Sequence, residues 1–318
     1  MQSNVPTAEA EVSTKFLMRF IVLSIIAAVL TVSIKFAAAW ITGSVGFLSD
    51  AMESIVNLLA AMVALWALIV SGKPADHNHD FGHGKAEYMS SLVEGALIFV
   101  AAAGIIVTAI QRLANPQPLE EVGIGLVLSV VATLINLVVG AILVRAGRKH
   151  RSITLEADGH HLLTDVWTTV GVIVGIGLLF VFPDQLWIDP VVALVVGVNI
   201  LWTGGKLLRR SSVGLLDAAL PAEEVTAIRA AIDGVIGDDR VTVTDLRTRE
   251  SGRQRFVQTT VVVPGHWTVA RSHDLADDIE AAVGATFPEC QTVVHIEPGR
   301  SDHPEPPPAA PVPEDHSI

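Results

Sequence analysis

The 318-residue chain is 51% hydrophobic and only 17% charged, with a mean hydropathy of +0.52, which excludes an ordinary soluble domain with a mixed polar surface. Its net charge of −12, from 33 acidic and 21 basic side chains, excludes nucleic acid as a partner, because that role needs a basic face to displace counterions. Cys290 is the single cysteine, so an internal disulfide and a thiolate metal cluster are excluded as well.

Residues 1–14 are polar and acidic, with no basic stretch ahead of an apolar run. They are expected to be a cytoplasmic tail rather than a cleavable signal. Six apolar runs follow, over roughly 16–40, 45–70, 89–113, 121–145, 155–182 and 186–208. Each is long enough to cross the hydrocarbon core as a helix, which needs about 20 residues. Turn chemistry separates them at Thr42-Gly43-Ser44, Ser71-Gly72-Lys73-Pro74, Asn115-Pro116-Gln117-Pro118 and Pro183-Asp184. The expectation is an all-α six-helix transmembrane domain over 15–212. Lys and Arg gather at Lys15 and Arg19, Lys73 and Lys85, Arg145 to Arg151, and Lys206 to Arg210. All fall on one side of a six-helix arrangement, which predicts that both termini are cytoplasmic.

Residues 213–298 predict a small cytoplasmic α/β domain. A helix starts at Pro221 and runs to about Ile232, and a strand begins at Val241. A β-branched strand covers Phe256 to Val263, an amphipathic helix Ser272 to Phe287, and a third strand Thr292 to Ile296. The Pro-rich stretch 299–318 is expected to be disordered.

Ionisable groups inside apolar helices usually face a cavity or one another. Asp50, Glu53 and Asn57 share one face of the second run, and Asp158, His161 and Asp165 repeat the same spacing in the fifth. Facing each other, Glu53, Asn57, His161 and Asp165 offer oxygen and imidazole donors suited to a divalent ion, with two carboxylates balancing its charge. The bland alternative is interhelical hydrogen bonding. Asp50 and Asp158 lie nearer helix ends, where a solvated role and an access-path role are equally open. Lys35 is expected to snorkel from a helix end, and Glu94 has no role assignable from sequence. The loop Asp76-His77-Asn78-His79-Asp80-Phe81-Gly82-His83-Gly84-Lys85 is dense in ligand types, and composition alone reads it equally well as a solvated loop. His266, His303 and His316 read as surface histidines.

Four segments carry a resemblance. They are Thr42-Gly43-Ser44-Val45-Gly46-Phe47-Leu48, Phe81-Gly82-His83-Gly84-Lys85-Ala86-Glu87, Leu215-Leu216-Asp217 with Leu220-Pro221, and Asp245-Leu246-Arg247-Thr248-Arg249. In these the chain resembles the cation diffusion facilitators, in particular bacterial zinc and iron exporters. The resemblance runs from about Lys15 to Pro298. It implies a homodimeric metal–proton antiporter of the bacterial inner (cytoplasmic) membrane, a secondary transporter rather than an enzyme. The substrate would be a divalent transition metal, with zinc first, and there would be no organic cofactor. Its partners would be metal ions, protons, the lipid bilayer and a second copy, with no nucleic acid. The cytoplasmic domain would be ferredoxin-like.

By the same resemblance the transport site falls on Glu53, Asn57, His161 and Asp165. A helix-two pair of two aspartates, or of His and Asp, is usual there, and Glu with Asn departs from it. That departure opens Fe2+, Mn2+ or Co2+ as alternatives. A loop site falls on Asp76 and His83 with His79 beside them. In the cytoplasmic domain His273, His295 and Glu297 match ligand positions, whereas Thr244 and Thr260 stand where histidine is common. A clamp between the dimer's membrane domains maps onto Lys85 and Asp217. Two rivals stay open on the residues alone: a monovalent cation–proton antiporter, which His161 disfavours, and a non-transporting metal-sensing scaffold.

Overall fold

The structure is a computed structural model, and it describes residues 8–42, 45–115, 124–181, 187–237, 240–288 and 290–299. The chain divides into two compact units. The first comprises residues 1–218 together with 250–254, and the second 219–249 and 255–318.

Among the described residues the first unit holds six helices: α1 (Ala8–Thr42), α2 (Val45–Ser71), α3 (Ala86–Ala114), α4 (Ile124–His150), α5 (Ile153–Val181) and α6 (Ile188–Leu215). Four contain stretches long and apolar enough to cross a membrane: Thr14–Ile41, Ala86–Ala114, Leu126–His150 and Pro190–Leu215. The unit is thus a helical transmembrane domain.

Helix α5 is the inner element. Every residue from Ser152 to Gly159 is buried, as are His161, Leu162 and Thr164 to Val166. It packs on α4, α6 and α3. Gly140 and Gly159 allow one close α4–α5 approach. A Cβ on Gly159 would lie 2.8 Å from the Val144 backbone nitrogen and 2.9 Å from the Gly140 carbonyl oxygen. Small residues let membrane helices approach this closely, where dispersion and interhelical hydrogen bonds hold them. α3 packs on α6, and α1 on α2 and α4. Around Leu17, Ile21, Leu68, Leu143 and Leu155 an apolar cluster fills the space between α1, α2, α4 and α5.

The second unit contains α7 (Ala222–Val235), α8 (Val269–Thr286) and a sheet of three strands, β1 (Thr242–Ser251), β2 (Gln254–Pro264) and β3 (Cys290–Gly299), in the order β1-β2-β3. β2 and β3 are parallel and joined through α8, with Thr260 opposite His295 and Val262 opposite Glu297. Along β2, Val257, Thr259, Val261 and Val263 are buried in alternation and face Ile228 and Ile232 of α7 and Ile279 and Val283 of α8. Each fully buried Ile contributes about 1.5–3 kcal/mol. Thr268 caps α8, its side chain accepting from the Arg271 amide at 3.3 Å. The described order is αββαβ, one strand short of a complete ferredoxin-like βαββαβ.

Candidate metal centre

Helices α2 and α5 bring Asn57, His161 and Asp165 together at 3%, 6% and 7% exposure, in the interior of the bundle. The Asn57 amide donates from Nδ2 to Asp165 Oδ2 at 2.5 Å, and Asn57 Oδ1 stands 2.7 Å from His161 Nε2. A carboxylate only accepts, so the Asn57 nitrogen must face Asp165 and its oxygen must face His161. His161 Nε2 therefore carries the hydrogen. Its Nδ1 is buried without a partner, a free lone pair in the ring plane. Asp50 and Glu53 also lie on α2, but their side chains are outside the described residues.

Two further residues complete the centre. Asn136 of α4, 1% exposed, donates from Nδ2 to Asp165 Oδ2 at 3.2 Å. Lys35 of α1 does not snorkel outward. It is 4% exposed and its Nζ lies 3.8 Å from Asp165 Oδ2. A buried ammonium is stable only beside a buried anion, and Asp165 is that anion. Asn136 is a single polar residue in an apolar run. Only the α4–α5 approach through Gly140 and Gly159 reveals its target.

A cavity of about 540 Å3 reaches the centre. Asn57 and His161 line it together with Leu97, Gly104, Thr108 and Arg112. Its α3 wall thus runs from residue 97 toward the C-terminal end of that helix.

The opposite end of the bundle is closed by a polar knot around Glu87, which is 1% exposed. Glu87 accepts from Ser152 Oγ at 2.7 Å and Ser71 Oγ at 3.4 Å, and Arg253 Nε pairs with it at 3.2 Å. Arg253 Nη2 also donates to Thr14 Oγ1 at 3.1 Å. The α1, α2, α3 and α5 segments at this end and the 250–254 turn meet on one carboxylate. Gly84 and Gly252 make the approach possible. Gly252 has φ +60°, and a Cβ there would lie 2.6 Å from the Gly84 carbonyl oxygen.

In the α2–α3 loop, Asp76, His79 and His83 present ligand atoms all within 4.8 Å of one another. Asp76 Oδ1 accepts the Asn78 and His79 amides, each at 2.9 Å, and lies 3.2 Å from His79 Nδ1. His83 Nε2 is 3.4 Å from Asp76 Oδ2. The Asn78 amide above all, opposed by burial and helped by the His79 contacts, holds the Asp76 carboxyl below its ordinary value. Lys85 Nζ pairs with Asp217 Oδ1 at 3.0 Å within the chain and donates to the Leu215 carbonyl at 3.2 Å.

The cytoplasmic positions are less convergent. His295 Nε2 and Glu297 Oε1 are 3.5 Å apart on β3, and His273 of α8 instead faces Asp277 at 3.7 Å. Among the described residues His273 forms no three-ligand group with His295 and Glu297. Thr244 donates to the Thr260 carbonyl at 3.4 Å.

Residues 21–216 match the family described as the cation efflux transmembrane domain, and residues 220–299 match the cation efflux protein cytoplasmic domain. An uncharacterized transporter of Synechocystis sp. is 48% identical over 92% of this chain and 96% of its own. The cation-efflux pump FieF of Klebsiella pneumoniae is 33% identical over 83% of this chain and 87% of its own. A solved structure of CzrB, described as a candidate zinc transporter, is 38% identical over 26% of this chain and 99% of that one, with a TM-score of 0.25. Both units are accounted for by one family, and this chain belongs to it: a multi-pass membrane transporter of the cation efflux, or cation diffusion facilitator, family.

Proposed function

We propose that this protein exports a divalent transition metal, zinc before Fe2+, Mn2+ or Co2+, across the bacterial cytoplasmic membrane in exchange for protons. The observation that carries the reading is the buried Asn57–His161–Asp165 cluster opening onto the 540 Å3 cavity. Zinc accepts oxygen and imidazole donors in tetrahedral sites, and His161 Nδ1 is already a free imidazole donor. For the ion to bind, the Asn57 amide turns so that its oxygen rather than its nitrogen faces the ion. Asp165 exchanges Asn57 and Lys35 for the metal, and Glu53 supplies the fourth position. Protons arriving from outside protonate His161 and a carboxylate and release the ion, since ligands must be deprotonated to bind.

All six helices span the bilayer in this reading, and the Lys and Arg distribution puts both termini in the cytoplasm. The membrane domain is 15–212, and the ferredoxin-like domain over 213–298 joins two copies as a homodimer. The Glu87 end of the bundle is then cytoplasmic and the cavity opens outward. Asp76, His79 and His83 collect metal at the cytoplasmic mouth. Lys85 with Asp217 braces the membrane domains. The name of FieF, a cation-efflux pump, supports the direction.

Flux in proteoliposomes tests this reading across a panel of divalent metals, with and without an imposed proton gradient. Zinc is expected to move fastest, and its rate to follow the gradient. Transport indifferent to the proton gradient would reject antiport, and a faster Mn2+ or Fe2+ flux would reassign the substrate.

A further inference from the structure

Glu94 of α3 and Asp158 of α5 are both fully buried, at 0% exposure. Glu94 Oε1 accepts from Ser90 Oγ at 3.0 Å, but Glu94 Oε2 and both Asp158 oxygens have no hydrogen-bond partner. Each carboxylate lies within electrostatic reach of the other. Ser24 of α1, also 0% exposed, stands beside Asp158, outside hydrogen-bond geometry but close enough to bear on its charge. No basic side chain pairs with either carboxylate among the described residues. Three unsatisfied carboxylate oxygens and an unsatisfied hydroxyl, contributed by three helices, are costly inside a membrane bundle unless something neutralises them. This contrasts with Asp165, whose charge Lys35 and two asparagines meet.

The position is specific. Asp158 precedes His161 by three residues of α5, about 4.5 Å along the axis. It lies on the Ile153 side of His161, and Glu94 likewise lies on the Glu87 side of Leu97, where the α3 wall of the cavity begins. The cavity serves one face of the metal centre, and this pair lies toward the other.

We infer that Ser24, Glu94 and Asp158 form a second divalent-cation site, which stages the ion between the Glu87 end of the bundle and His161. The inference rests on the metal-transport reading above. Its donors are carboxylates and hydroxyls, an all-oxygen set that holds a divalent transition metal less firmly than a site containing imidazole. The ion therefore passes on to His161 rather than stopping. Paired sites that bind well enough to admit an ion and weakly enough to release it are how conduction proceeds.

Zinc stoichiometry and flux are measured on the purified full-length protein. Glu94→Gln and Asp158→Asn are each expected to lose one zinc equivalent per protomer and to slow flux by about tenfold or more, as loss of a ligand-supporting group does. Glu94→Asp, which keeps the carboxylate, is expected to retain both. His161→Ala is expected to lose a different equivalent, so that the double variant loses two. Wild-type stoichiometry and flux in Glu94→Gln would overturn the second site, while loss of flux in His161→Ala would leave the metal-transport reading standing. A measurement on the wild type guards against variants that fail to fold. Anomalous scattering from zinc-loaded crystals is expected to show a peak between Glu94 and Asp158. Zinc at His161 and no zinc between the two carboxylates would overturn the inference.

Discussion

Asn57 links His161 and Asp165 through its two faces. Its nitrogen satisfies Asp165 and its oxygen satisfies His161, and in the proposed metal site one rotation of the amide would convert this network into a ligand set. Asn57→Asp cannot donate to Asp165 and adds a second negative charge beside it. Tighter zinc binding and a shifted metal preference are expected, and an unchanged selectivity panel would show that position 57 does not touch the ion. In the same proposal Lys35 acts in the opposite sense, as a positive charge 3.8 Å from Asp165 that an incoming cation would displace. Lys35→Met is expected to tighten zinc binding by about tenfold, a modest part of the Coulomb energy of two unit charges at this distance. Calorimetric titration measures it, and weaker binding would show that Lys35 assists the metal rather than competing with it. The α2 and α5 stripes were legible in sequence because their spacing repeats. Lys35 is legible as a charge in an apolar run, but its surroundings are not, because position along a helix does not say which way a side chain points.

Among the elements, the knot at Glu87 is where the helix ends of the bundle are fixed. Glu87 and Arg253 are 166 residues apart, and no local pattern connects them. The Phe-Gly-His-Gly-Lys-Ala-Glu string flags the loop, but the physical reason for Gly84 is the backbone of the 250–254 turn. Removing Arg253 leaves a buried carboxylate with two hydroxyls and no counter-charge. Arg253→Ala is expected to lower stability by about 3–5 kcal/mol, read by thermal unfolding, with Glu87→Gln added to it recovering most of the loss. No recovery would mean that the arginine matters by packing instead. The helix boundaries differ from the apolar runs for a related reason. α1 starts at Ala8 and α6 runs to Leu215, well past the residues that lipid requires, because a helix continues through polar residues as long as its backbone bonds close. In the loop, the Asp76 carboxyl is held below its ordinary value, so its charge is present at neutral pH and lost only well into acid. Metal bound there is expected to be released on acidification, since its ligands must be deprotonated to bind.

At the scale of the whole molecule, the division into a membrane unit and a small α/β unit follows from composition, and the strand and helix order of the second unit follows from its periodicity. The metal capacity of that unit does not. His295 and Glu297 converge, His273 points to Asp277, and Thr244 and Thr260 are hydrogen-bonded to each other through the backbone. The domain over 213–298 is expected to bind at most one zinc per protomer and to remain dimeric in a chelator, since a hydroxyl is a poor neutral ligand for zinc and three ligands hold one ion with water in the fourth place. Two tight ions per protomer in a calorimetric titration, or a chelator-induced monomer in the ultracentrifuge, would contradict this.

The central claim is that the buried α2–α5 cluster carries the ion through the membrane. Zinc flux into proteoliposomes containing Asp165→Ala, set beside the wild type at equal reconstitution and with the dimer intact, tests it most directly. The expected result is loss of zinc flux, and transport by Asp165→Ala at the wild-type rate would contradict it.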